Sequence, residues 1–370
     1  MLGFIHFGNQ LDLSLAELGN FIDFDRKCLY DNFLLFNNSK FYDLPYDSMG
    51  GVRAAYRIVA KSESEFLSYL SRFEKADDKK HVLLDSNFMK PHHLRKICMG
   101  FNNIKFKYAF KATDYRPVRF QNKKDVFVYI LKFKSQVYFL EAFFIANAKK
   151  YAIRDYKKPY RDAKLGMLPP KLSQMMLNIA TNTNAVYDPF CGTGSLLMEA
   201  VLSGTKNVYG SDYKQENIEG TDKNLFFMQR KFGLNFQSNV FMQDVTKKFN
   251  DVPNFNALIS EGYLGKPLHG NEPDNFLKAQ MHTVFELYLD FFRNLSLAAK
   301  SDFELVMCYP IFPKIAADSD ASFFNLLGKI SEYGYELEPI SRQFKIKTAL
   351  YQRNNQFVHR LIFKLGFKKV

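Results

Sequence analysis

Two short runs hold the residues best suited to chemistry. The first is Asp188-Pro189-Phe190-Cys191-Gly192-Thr193-Gly194-Ser195, and the second, further along, is Ser260-Glu261-Gly262-Tyr263. Gly192 and Gly194 lack Cβ atoms, so the chain can bend tightly there and approach a ligand closely. A turn of this kind between a strand and a helix presents the unpaired N–H groups of the helix start to that ligand. Two further acids, Asp212 and Asp244, fall where successive strands are expected to end. Asp212 stands where a carboxylate takes both hydroxyls of a ribose. Asp244 stands where an acid accepts from an adenine amino group. The glycine turn has no Lys or Arg and opens on an acid. An acid there repels phosphate and attracts an ammonium or sulfonium. Adenosine carrying a positively charged amino acid, S-adenosylmethionine, fits this set better than a dinucleotide.

The elements that must position these residues alternate. Strands are expected at Ala185 to Tyr187, Asn207 to Gly210, Val240 to Met242, Phe255 to Ser260 and Phe303 to Tyr309. Helices fall before and between them, at Lys171 to Ala180, Ser195 to Leu202, Gln215 to Phe232, Phe276 to Lys300 and Ala321 to Tyr333. Leu172, Met175, Met176 and Ile179 share one face of the first and read as core. Tyr335 to Ser341 and Asn355 to Leu365 are separated only by a loop, so they pair antiparallel. Parallel strands joined by helices and closed by a hairpin give a doubly wound α/β domain, with ligands at the carboxyl ends of the strands.

The N-terminal part reads as a small α+β region. It opens with a strand, Gly3 to Phe7. Ser14 with Glu17, and Ser62 with Glu65, form capping-box patterns that start helices. His81 to Leu84 is a strand, Asn87 to Gly100 a helix interrupted by Pro91. Asp125 to Phe133 and Gln136 to Ala146 are two long strands around a tight turn at Lys134-Ser135. Lys105 to Phe120 interleaves cations with aromatics. That run suits phosphates and stacked bases; a core strand flanked by solvated lysines is the other reading. His92 and His93 lack a third ligand nearby and read as a polar helix face.

Across 370 residues, 51 Lys+Arg against 38 Asp+Glu give a net charge of +13. That balance suits a polyanion such as nucleic acid. Cys28, Cys98, Cys191 and Cys308 are far apart, with neither zinc nor disulfide spacing, so no metal is expected and the thiols suit a reducing cytoplasm. The first residues carry no secretory pattern. The most apolar run, Val137 to Ala148, is too short for a bilayer.

DPFCGTGSLLMEA resembles motif I of the class I methyltransferases. RDYKKPYRDAKLGMLPPKLSQMMLNIA resembles the segment before motif I in the THUMP-containing tRNA (guanine-N2-)-methyltransferases, and is most similar to those acting on guanosine 10 of tRNA. YQRNNQFVHRLIFKL resembles that family's last strand. FGNQLDLSLAEL and Gly50-Gly51-Val52-Arg53 resemble its opening more loosely. The resemblance implies a Rossmann-like domain with a mostly parallel seven-stranded sheet, preceded by a THUMP-like region that grips tRNA. The implied limits are 1–148 for the RNA-binding region, 149–170 for a cofactor-covering linker and 171–370 for the methyltransferase domain. Asp188 and Gly192, Thr193 and Gly194 would cradle the methionine moiety, Asp212 would hold the ribose, and Asp244 with Val245 the adenine; Pro189, Phe190, Cys191 and Tyr213 would also line the cofactor site. Arg161, Asp162 and the Gly166 to Leu172 segment would close over the cofactor.

One departure bears on the chemistry. The family carries Asp-Pro-Pro-Tyr after the fourth strand, where the acid and a backbone carbonyl accept from the amine being methylated. Here Ser260 stands for the acid, Glu261 and Gly262 for the prolines, and Tyr263 keeps the aromatic place. In one reading Glu261 replaces the acid as acceptor, and methyl transfer needs little besides alignment. In the other the site binds cofactor or RNA without methylating guanine N2. Amino methylation of another RNA or DNA base is a third reading. The sequence does not specify an activating subunit or a homodimer.

Overall fold

The computed structural model describes residues 3–37, 39–74, 80–86, 88–108, 125–162, 168–353 and 356–369. Most of the Lys105 to Phe120 run, and Gly166 and Met167 of the covering segment, lie outside them. The chain divides into two compact units, Met1–Asn9 with Phe24–Asp47 and Val52–Lys150, and Gln10–Asp23 with Ser48–Gly51 and Tyr151–Val370.

In chain order the first elements are β1 (Gly3–Phe7), α1 (Leu11–Leu18), β2 (Leu29–Tyr30), β3 (Phe33–Phe36), β4 (Val52–Ala60), α2 (Glu63–Glu74), β5 (Lys80–Ser86), α3 (Pro91–Ile97), β6 (Ile104–Tyr108), β7 (Asp125–Phe133), β8 (Gln136–Ile145) and α4 (Ala148–Tyr156). The strands form one sheet in the order β2-β3-β1-β4-β8-β7-β5-β6. Phe66, Leu70, Val82, Val128 and Ile130 are buried in one of its clusters, and Phe4, Phe33, Tyr56, Tyr129 and Leu140 in another. Pro91 stands in the first turn of α3 rather than interrupting a helix. Its missing N–H is one that a helix start leaves unpaired in any case. His92 and His93 are exposed, as are Lys105 and Lys107 on β6, where Phe106 and Tyr108 are half-buried.

The Ser62–Glu65 pattern starts α2, with the Glu65 N–H donating to Ser62 Oγ at 3.2 Å. The Ser14–Glu17 pattern does not start a helix; both residues are buried inside α1. Glu17 is drawn away by a stronger demand. Its carboxylate accepts from Gly50 N at 2.9 Å, Gly51 N at 2.8 Å and Asn178 Nδ2 at 2.7 Å. Leu13 and Ala16 of α1 are buried with Leu172, Met175 and Met176. Residues 10–23 and 48–51 therefore pack with the second unit, although they precede its main run in sequence.

That unit continues with α5 (Pro170–Ile179), β9 (Ala185–Asp188), α6 (Ser195–Leu202), β10 (Asn207–Asp212), α7 (Gln215–Phe232), β11 (Gln237–Met242), β12 (Ala257–Ser260), α8 (Asp274–Ala298), β13 (Phe303–Ile311), α9 (Ala316–Ile330), β14 (Tyr335–Glu338), β15 (Thr348–Tyr351) and β16 (His359–Phe367). Its sheet runs β11-β10-β9-β12-β13-β16-β14. β9 to β13 are parallel and β16 is antiparallel to β13 and β14. The expected seven strands become eight. β15 lies in the segment expected to be a loop and pairs with residues 360–363 of β16, while β14 pairs with 364–367. The long last strand thus has room for two short partners along one edge. The order reverses between β9 and β12, which opens the crevice that such sheets use for ligands. Among the described residues no helix is long and apolar enough to cross a membrane.

Candidate active site

The predicted acids converge at that crevice. Register places Asp188 beside Gly210, Leu258 beside Tyr187, and Met242 beside Asp212. Asp188, Asp212 and Ser260 accordingly end neighbouring parallel strands, and Asp244 follows two residues after β11. Asp188 and Ser260 are buried, with Ser260 Oγ donating to Asp188 Oδ1 at 2.6 Å. Phe190 N donates to the same oxygen at 3.1 Å. Burial pushes the Asp188 carboxyl up to about 7, against the pull of these two hydrogen bonds. Asp212 accepts from Gly192 N at 3.1 Å and Lys214 N at 3.0 Å. Each oxygen keeps a further lone pair for a ligand. Asp244 is exposed, and its Oδ1 accepts from Thr246 N and Thr246 Oγ1 at 2.9 and 2.7 Å. Val245 is buried and Tyr213 exposed.

The glycine turn is held from behind. Gly194 caps α6 with φ +70°, the left-handed region, and an added Cβ would lie 2.8 Å from Thr221 Cγ2. Thr221 Oγ1 donates to Gly192 O at 2.9 Å, and Asn224 Nδ2 donates to Thr193 O at 2.8 Å. Cys191 is buried beneath the turn, which raises its thiol well above the ordinary range. Phe190 packs edge-on against Phe291 at 5.3 Å.

The segment before α5 docks on the same turn. Tyr160 N donates to Asn224 Oδ1 at 2.9 Å and Asn224 Nδ2 returns to Tyr160 O at 3.0 Å. Lys158 is 4% exposed and its Nζ donates to Thr193 Oγ1 at 2.9 Å and Ser195 Oγ at 2.6 Å. The sequence reading, which found no cation in the turn, missed it because it arrives from well upstream. Burial lowers its ammonium to about 8. Close by, Arg154 pairs with Glu199, both buried. Burial pushes the Glu199 carboxyl up to about 7, although Arg154 pulls the other way. One signal was available for the turn's supports. Asn217, Gly220, Thr221 and Asn224 form a small polar stripe at helical spacing on α7, and all four are buried.

At the second run, Gly262 has φ +70°, and a Cβ there would sit 2.1 Å from the Tyr288 hydroxyl. Its N–H donates to Ser260 Oγ at 3.1 Å. This hydroxyl ties the turn to the end of β12 and, through Asp188, to β9. Glu261 accepts from Arg360 Nε at 2.6 Å, and Arg360 Nη1 also donates to Gln356 Oε1 at 2.9 Å. Arg360 lies at the start of β16, beside the end of β13, a partner that residue spacing does not announce. Tyr263 is half-buried, and burial raises its phenol.

The sheet order is that of an α/β methyltransferase fold, with the strand-end acids and the glycine turn at its switch point. Residues 158–248 match the family described as UPF0020: RMKL-like, methyltransferase domain. Among curated proteins, the tRNA (guanine(10)-N2)-dimethyltransferase of Pyrococcus abyssi is 45% identical over 58 residues, 16% of this chain and 17% of that protein. The enzyme of the same name from Methanothermobacter thermautotrophicus is 39% identical over 74 residues, 20% of this chain and 21% of that one. The matched part thus spans about a fifth of these relatives' length. The crystal structure of TrmN from Thermus thermophilus shares the fold, with a TM-score of 0.56 and 15% identity over 100% of this chain and 99% of that one.

Proposed function

We propose that the chain is an S-adenosylmethionine-dependent methyltransferase acting on the exocyclic N2 of a guanosine in tRNA, at position 10 by kinship. The observation that carries this is the stretch shared with the tRNA (guanine(10)-N2)-dimethyltransferases, together with the methyltransferase-family match over residues 158–248, which includes the docked lead-in and the glycine turn. Asp188 and the turn would take the methionine end, Asp212 with Tyr213 the ribose, and Asp244 with Val245 the adenine. S-adenosylmethionine supplies an already activated methyl group, so the chain's own task is alignment. Tyr263 would stack on the target base, and the Glu261 carboxylate, oriented by Arg360, would accept from its amine. The first unit, with the charge of the whole chain at +13, would hold tRNA as a THUMP-like module.

A second reading has support in one observation. Glu261 is already bonded to Arg360, and Ser260 is buried against Asp188. In that reading the protein binds cofactor and RNA without transfer to guanine N2. Incubation of the full chain with methyl-labelled S-adenosylmethionine and unmodified bulk tRNA, followed by mass spectrometry of the digested nucleosides, separates the two. N2-methylguanosine supports the first; cofactor binding in calorimetry without labelled RNA supports the second. Label on a different base overturns the guanine assignment.

A further inference from the structure

We infer that Lys158 holds the carboxylate at the amino-acid end of the cofactor and makes the site selective for adenosyl compounds that carry an amino acid; this rests on the methyltransferase reading above. The Lys158 ammonium is buried, yet its bonding partners are two neutral hydroxyls, those of Thr193 and Ser195. An ammonium has three protons to donate, so one direction is left for a ligand. A buried cation is costly unless an anion matches it. Glu199 is not a direct partner: its Oε1 is bonded to Arg154, and its buried Oε2 accepts no hydrogen bond among the described residues. Asp155 and Glu199 favour the charged lysine from nearby, but among the described residues neither forms an ion pair with it.

The lysine ammonium also sits at the start of a helix. Thr193 and Ser195 flank Gly194, the cap of α6. The first N–H groups of that helix have no intrahelical acceptor, and its dipole adds a partial positive charge. On the strand side of the same turn the charge is opposite, where Asp212 accepts from Gly192 N and Asp188 is buried next to Phe190. An acid lies on one side of the turn and a cation on the other. An amino acid is a zwitterion with the same separation, so its ammonium faces the acids and its carboxylate faces Lys158. A phosphate would have to tolerate the acids at close range.

The test compares S-adenosylhomocysteine with its decarboxylated analogue, S-adenosyl-3-thiopropylamine, by calorimetry on the full chain. The wild type is expected to bind the first at least about tenfold more tightly, as befits one hydrogen-bonded charge pair. Lys158→Met keeps the apolar stem and should weaken S-adenosylhomocysteine about tenfold while changing the analogue by no more than about twofold. Lys158→Arg should retain the preference. Equal binding of the two ligands by the wild type overturns the inference without any variant and leaves the methyltransferase reading standing. Equal weakening of both by Lys158→Met overturns it as well, showing that the lysine only braces the turn. A wild type that binds neither ligand removes the cofactor reading and this inference together.

Discussion

Ser260 gives its hydroxyl hydrogen to Asp188 across 2.6 Å and accepts the Gly262 N–H at 3.1 Å. One side chain therefore joins the ends of two adjacent parallel strands and fixes the turn that carries Tyr263. Ser260→Ala removes both bonds in a fully buried place. A buried polar group left unsatisfied costs about 1–3 kcal/mol. The variant should unfold at lower urea, and methyl transfer should fall more than cofactor affinity, because Tyr263 and the target base lose their support first. Urea midpoints and calorimetry on the same preparation check both halves. Wild-type stability in Ser260→Ala would show that the turn is held by other contacts.

Asp188 sets an expectation for pH. Burial is the largest influence on its carboxyl and raises it from 3.8 to about 7. A carboxyl raised in the folded state makes ionisation oppose folding. Its contribution to stability is complete below about pH 4 and is lost as pH rises through about 7. A sulfonium or ammonium ligand reverses the balance by favouring the ionised acid. Affinity for S-adenosylmethionine should therefore climb between pH 6 and 8, with a step near 7 that Asp188→Asn flattens. Titration calorimetry across that range is the measurement. A level wild-type profile would mean that Asp188 does not face the cofactor's positive end.

The order of strands and helices in the second unit was legible because the pattern is local. Apolar runs of strand length alternate with helical spacing, and Gly204, Gly233 and Gly334 punctuate them. The strand-end acids were legible for the same reason. Contacts between distant stretches were not. Glu17 carries a capping pattern, yet its carboxylate binds Gly50 and Gly51, because a tertiary demand for a buried acceptor outweighs a helix start. Lys158 follows Lys157 and looks like an ordinary solvated pair; only the docking of Tyr160 on Asn224 turns it inward. Arg360 sits in a run that reads as a plain strand, and its bond to Glu261 spans 99 positions. Such pairings are set by topology, which residue spacing does not encode.

The Glu261–Arg360 pair leads to a sharper test of the altered motif. Both side chains are mostly buried, at 16% and 6% exposure. Glu261→Gln retains the shape and removes the charge, so it should lose most methyl transfer while cofactor binding persists. Arg360→Met leaves the acid without its partner, and breaking such a pair costs about 3–5 kcal/mol when it is buried. The double variant should recover stability relative to Arg360→Met, without recovering transfer. Single-turnover assays with saturating cofactor, run beside thermal melts, separate the two effects. Unimpaired turnover in Glu261→Gln would remove Glu261 from the mechanism.

The docked lead-in can be tested through steric fit alone. Gly220 lies within α7, and a Cβ there would fall 2.0 Å from Tyr160 Cδ1. An isolated helix gains about 1 kcal/mol from Gly→Ala, so Gly220→Ala should stabilise the protein if the tyrosine ring were elsewhere. With the ring against the helix, the substitution pushes Tyr160 off α7 and loosens its two bonds with Asn224. Lys158 would then leave Thr193 and Ser195. Lower thermal stability and weaker cofactor binding are the expected results. Tyr160→Ala removes the obstacle, so the double variant Tyr160→Ala/Gly220→Ala should be more stable than the sum of its parts, by about 0.5–3 kcal/mol of coupling. Strict additivity in that cycle would place the ring away from Gly220 in solution.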